Sequence, residues 1–100
     1  PAFKVMIDLT AVSVAGETIQ DWFDAFGAEN IIHSHFQDCN PYGHYVWGDG
    51  NRSLYEDVKC MLDNGYQGLF SQELTDRSYF ADPYYHDQRN MRNLRMYFGD

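Results

Sequence analysis

The sequence predicts an α/β fold in which three strand–helix units follow one another along a parallel sheet. Short apolar runs at 3–9, 30–38 and 68–74 alternate with segments of helical periodicity at 17–26, 53–63 and 82–98. The first run is apolar on both faces or nearly so, as in a parallel strand covered on each side. No long linker or low-complexity stretch interrupts the alternation, and alternating strands and helices favour right-handed crossovers in one sheet.

The run FKVMIDL opens the pattern, and TAVSVAG after it reads as a looser segment. In ETIQDWFDAF, Ile19, Trp22, Phe23 and Phe26 recur at i, i+3, i+4 and i+7, which places them on one helical stripe. Gly27 then offers a left-handed stop. NIIHSHFQD is the second strand, followed by the turn-rich CNPYGHYVWGDGN. Ser53 with Glu56 makes a capping box for the next helix, whose stripe is Leu54, Val58, Met61 and Leu62. Asn64 and Gly65 end it. GLFSQEL is the third strand. Asp82 and Pro83 form an N-cap and first-turn pair for a last helix with Tyr84, Met91, Leu94 and Phe98 on its inner side.

One hundred residues allow a single domain at most, and 17% aromatics with 44% hydrophobic residues exclude a disordered chain. The net charge of −8 repels phosphate backbones and anionic lipid, so neither nucleic acid nor membrane is an expected partner. The late basic residues Arg77, Arg89, Arg92 and Arg95 are interleaved with Asp76, Asp82 and Asp87, the pattern of a solvated helix face. No apolar run approaches the ~20 residues that span a bilayer. The two cysteines, Cys39 and Cys60, have no metal-finger spacing, and so few point to a reduced cytoplasmic setting. Three parallel strands alone leave two unpaired edges and an exposed face. The expectation is therefore a piece of something longer, completed by the remainder of its fold or by a homo-oligomer.

In parallel α/β folds the working groups gather at the C-terminal ends of strands. That rule selects Asp8, His35 and Glu73. Singly, Asp8 reads equally as a strand-end cap, His35 as a hydrogen-bonded core histidine and Glu73 as an ordinary helix-entry acid. Their recurrence at equivalent places in successive units favours a site. A carboxylate on an apolar strand is costly unless something positive pairs with it, and no Lys or Arg recurs beside all three. A divalent cation answers two carboxylates and an imidazole together; this donor mix suits Mn²⁺, Co²⁺, Zn²⁺ or Mg²⁺.

The run MIDL, then HSHFQD, GDGN and NGYQGLFSQEL, resembles the sugar isomerase/epimerase superfamily with the xylose-isomerase-like TIM barrel. The likeness covers about residues 3–98 and is greatest to the ketose 3-epimerase group, such as the tagatose, psicose and fructoselysine 3-epimerases. It implies that residues 1–100 are the C-terminal three βα units of a single (β/α)8 TIM-barrel domain. It implies Asp8, His35 and Glu73 as metal ligands, with His33 packing beside them. Asp38 matches an acidic position and His44 a substrate-facing one, so both are candidate substrate-binding residues, although loop solvation explains His44 as well. Two departures, Ala11 where some relatives have His and Pro41 where some have Arg, put the particular sugar in doubt.

The implied activity is metal-dependent epimerisation of an open-chain ketose through an enediolate, with Glu73 as one proton-transfer acid. The second acid comes from an earlier strand in that family, so this stretch by itself is expected to be inactive and to hold metal weakly. Two alternatives remain open at this level. An endonuclease-like hydrolase of the same superfamily needs more ligands and a basic groove. A non-catalytic, oligomerising barrel remnant would use Trp47, Tyr79, Tyr84 and Tyr85 to cover its open surface. A metal-dependent oxygenase fits poorly, because its usual triad has two histidines and one carboxylate.

Overall fold

The strands β1 (Val5–Asp8), β2 (Ile31–His35) and β3 (Leu69–Ser71) lie side by side in that order, all parallel. They are seen in a computed structural model that describes residues 3–98. The helices are α1 (Leu9–Val14), α2 (Ile19–Phe26), α3 (Leu54–Asp63) and α4 (Pro83–Phe98), with 3₁₀ turns at Ala28–Asn30 and Arg77–Tyr79. The expected order of strands and helices is present, and no described helix is long and apolar enough to cross a membrane.

One sheet face carries the core. Ile7, Phe36 and Phe70 meet Val12 of α1, Ile19 and Phe23 of α2, Val58 and Met61 of α3, and Leu94 and Tyr97 of α4. Each such aliphatic or aromatic side chain contributes roughly 1.5–3 kcal/mol when fully buried. The opposite face holds Met6, Asp8, His33, His35, Leu69 and Ser71, aligned by the strand register. Met6 is 42% and Leu69 71% exposed, so this face is open among the described residues. The alternation expected for 33–36 is observed: Ser34 and Phe36 are buried while His33 and His35 stand on the open side. It breaks earlier, where the register advances by two residues on β2 against one on β1. Ile31 therefore enters the core and Ile32 does not.

Several sequence expectations are corrected by packing. The loose segment after β1 contains α1, because Asp8 caps it and Leu9 and Val12 are drawn into the core. Thr18 and Asp21 close a reciprocal capping box on α2, whereas Ser53 on α3 accepts from the Glu56 amide without the return bond. Leu62 points outward, and Asp57 is buried instead because Arg52 pairs with it at 2.6 Å. On α4 Leu94 packs on the core as expected, with Tyr97 beside it, whereas Tyr84, Met91 and Phe98 are exposed and Asn90 is fully buried. Asn90 Oδ1 accepts from the Trp47 amide at 2.9 Å, and Asn93 Nδ2 donates to the Trp47 carbonyl at 2.7 Å. Those bonds turn the helix toward the loop. Trp47 and Tyr79 are likewise core residues, so they cannot cover an open surface; Tyr84 and Tyr85 remain exposed.

The loop between β2 and α3 is organised around Asp38. Its carboxylate is buried and accepts four backbone N–H groups: Cys39 and Arg52 at Oδ1, Gly48 and Gly50 at Oδ2, all between 2.8 and 3.0 Å. A Cβ on Gly50 would lie 2.6 Å from both Asp38 Oδ1 and the Cys39 carbonyl oxygen. The acidic residue of HSHFQD and the glycines of GDGN are thus one structural unit.

Candidate metal centre

Asp8 and His35 end their strands as register partners, and Ser71 completes the row on β3. Glu73 follows two residues later, beyond the last strand position rather than within it. His35 Nδ1 lies 3.4 Å from Asp8 Oδ2 and 2.5 Å from Glu73 Oε2. The three predicted residues are brought together. His33 stays beside them, with its Nε2 3.2 Å from Ser71 Oγ and its ring edge-on to His35.

His44 joins the cluster from the loop. Its Nδ1 lies 3.8 Å from Glu73 Oε1, and Asp8, His44 and Glu73 each offer a ligand atom within 4.8 Å of the others. The backbone on either side of His44 is pinned. Thr10 Oγ1 donates to the Gly43 carbonyl at 2.7 Å, and Tyr45 and Asp38 exchange both backbone hydrogen bonds at 2.9 and 3.0 Å. Gly43 has φ of 81°, a conformation L side chains rarely adopt. Asp38 itself does not reach the cluster. Its oxygens are occupied by the loop amides, so it shapes the loop that presents His44.

Gln37 is a site residue that the sequence reading missed. Its Nε2 donates to Asp8 Oδ1 at 3.2 Å and to Thr10 Oγ1 at 2.8 Å, and the residue is fully buried. Asp8 Oδ1 also accepts from the Ala11 amide at 2.9 Å. One Asp8 oxygen is therefore committed to the scaffold and the other, Oδ2, is turned to the cluster. A buried amide two residues beyond a strand-end histidine was the available signal, but periodicity alone does not reveal what it touches.

The donor set fits a divalent cation. His44 Nδ1 and Glu73 Oε2 are buried atoms with no hydrogen-bond partner among the described residues. The short Glu73–His35 approach does not supply one, since its geometry is not that of a hydrogen bond. Buried polar atoms are rarely left unpaired, because desolvation without a partner costs about 1–3 kcal/mol each. Two carboxylates with neutral imidazoles are the donor chemistry of Mn²⁺, Co²⁺ and Zn²⁺ sites.

A second polar network lies away from the cluster. Arg89 on α4 grips Asp49 with two bonds of 2.7 and 2.8 Å, and Tyr79 donates its hydroxyl to the same carboxylate at 2.6 Å. The Arg89 hydrogen bonds hold the Asp49 carboxyl below its ordinary value of 3.8, against partial burial and with help from Tyr79. Burial, then the bond to Asp49, pushes the Tyr79 phenol well up. This network ties α4 to the Gly48–Gly50 turn; of the basic cluster, Arg89 is thereby engaged in structure.

Comparison with known proteins gives a distant likeness. The chain is 28% identical over 97 residues to fructoselysine 3-epimerase of Escherichia coli O157:H7 and equally to that of Shigella flexneri. The match covers 95% of this chain but 34% of each relative, so the chain spans about a third of their length. No protein-family model matches it. No solved structure matches it either.

Proposed function

We propose that this chain carries the metal-binding end of a sugar epimerase or isomerase site, built on three βα units of a parallel barrel. The convergence of Asp8, His35 and Glu73 from consecutive strand ends carries the reading. The likeness to fructoselysine 3-epimerase supports it and suggests an open-chain ketose as substrate. Asp8 Oδ2, His35 Nδ1 and Glu73 hold the ion, which is Mn²⁺, Co²⁺, Zn²⁺ or Mg²⁺.

A bound divalent ion supplies Lewis acidity, polarising a ketose carbonyl and making the adjacent C–H more acidic. Glu73 is the group that takes that proton, leaving an enediolate, and it can return the proton to the face it came from. Return to the same face exchanges hydrogen without inverting the carbon. Inversion needs a second acid on the opposite face. Asp8 is the other carboxylate of the cluster among the described residues, and Ala11 and Gln37 hold it in place by one oxygen.

The test is hydrogen exchange at carbon 3 of psicose and of fructoselysine in D₂O, followed by proton NMR with and without Mn²⁺. Expected is Mn²⁺-dependent deuterium incorporation with retained configuration, abolished in Glu73→Gln. No incorporation at saturating Mn²⁺, or incorporation unaffected by Glu73→Gln, overturns the proposal. Net epimerisation by this chain overturns the single-acid part of it.

A further inference from the structure

We infer that His44 is a direct metal donor, so that Asp8, His35, His44 and Glu73 form a four-residue set within these 100 residues. The inference rests on the metal-site reading above and changes the part His44 plays in it, from a substrate contact to a ligand.

Donors about 2.1 Å from one ion lie about 3.0 Å apart at right angles and about 4.2 Å apart when opposite. His44 Nδ1 to Glu73 Oε1, at 3.8 Å, falls inside that window, as does His35 Nδ1 to Asp8 Oδ2 at 3.4 Å. His35 Nδ1 to Glu73 Oε2, at 2.5 Å, falls below it. Those two groups must part by about half an ångström to share an ion. His44 already lies within 4.8 Å of both Asp8 and Glu73, a grouping that does not include His35, so it is His35 that must shift for the four to share an ion. His44 Nδ1 is buried and has no hydrogen-bond partner among the described residues, which is an unfavourable state for an imidazole nitrogen unless a cation or proton is shared there.

The backbone argues the same way. A metal ligand must be held within about half an ångström of its productive position. His44 is held from both sides, by Thr10 at Gly43 and by Asp38 at Tyr45. Gln37 links these supports to Asp8, because the same Nε2 touches both Asp8 and Thr10. Two arms of the site, one from β1 and one from the loop, are thus set by one buried amide. Both histidines present Nδ1 to the cluster, which leaves each Nε2 to carry the ring proton when metal is bound.

Co²⁺ alone is the probe. Calorimetric titration of the chain and of His44→Gln, His35→Gln and Glu73→Gln is expected to show at least tenfold weaker binding in all three variants. Affinity in His44→Gln within twofold of the parent, with binding lost in Glu73→Gln, overturns the role of His44 and leaves the metal site standing. Absence of Co²⁺ binding by the parent chain overturns both. Proton NMR of the Co²⁺-loaded parent reads the ligation without a variant. Two strongly shifted, solvent-exchangeable imidazole N–H signals are expected, one for each histidine. A single such signal overturns the assignment even where His44→Gln fails to fold.

Discussion

Gln37 Nε2 lies 3.2 Å from Asp8 Oδ1 and, together with the Ala11 amide on the same oxygen, leaves Asp8 Oδ2 facing the cluster. The Gln37 amide cannot be reversed without setting a carbonyl oxygen against a carboxylate. Its second bond, to Thr10 Oγ1, carries the constraint on to Gly43 and so to the loop bearing His44. Groups that orient ligands in this manner are worth about 10–100-fold in metal affinity.

Gln37→Leu is accordingly expected to weaken Mn²⁺ or Co²⁺ binding about tenfold while the chain still folds. Circular dichroism checks the fold, and calorimetry checks the affinity. Unchanged affinity would mean that Asp8 is oriented by the Ala11 amide alone.

Asp38→Asn replaces one acceptor oxygen by a donor that confronts backbone N–H groups. With bonds to a buried charge lost, destabilisation of about 3 kcal/mol is expected in urea unfolding. Faster amide exchange at Gly48 and Gly50 should accompany it. Gly50→Ala attacks the same unit sterically, since the new methyl would meet Asp38 Oδ1 and the Cys39 carbonyl, and should cost roughly 1–3 kcal/mol. Wild-type stability in both variants would show that Asp38 is not the centre of this loop.

The Asp49–Arg89 pair predicts an acid limb of stability. Its carboxyl is lowered in the folded chain, so its stabilising contribution is complete above the ordinary value of 3.8 and is lost as pH falls through the lower folded value. Parent and Arg89→Met should therefore differ near neutral pH and converge only as pH falls through the lowered folded value, below 3.8. The difference should stay within about 1 kcal/mol, because the pair is partly solvated. Equal stability at neutral pH, or a gap that widens on acidification, would show that the pair does not contribute in this sense. The comparison is read from urea unfolding at several pH values.

Much of the architecture was legible because hydrophobic periodicity is a local property. The runs containing Ile7, Phe36 and Phe70 alternate with stripes such as Ile19–Phe23 and Val58–Met61, and burial follows those patterns. Legibility failed where a polar partner overrode the stripe. Asn90 displaced Met91 and Phe98 from the inner side of α4 because the Trp47 backbone needed partners. Asp57 went inward with Arg52. The helix Leu9–Val14 was hidden because a six-residue element has little periodicity to read and depends on its cap and its core contacts.

At the site, the sequence by itself determined that Asp8, His35 and Glu73 belong together, since strand ends in a parallel sheet share one edge and the three occur at equivalent steps of the alternation. Tertiary structure decided the rest. It turned Asp38 into the hub of a loop, brought His44 to within 3.8 Å of Glu73, and placed Gln37 against Asp8. These contacts join residues from separate elements through side-chain direction and loop path, and no local period in the chain encodes either of them.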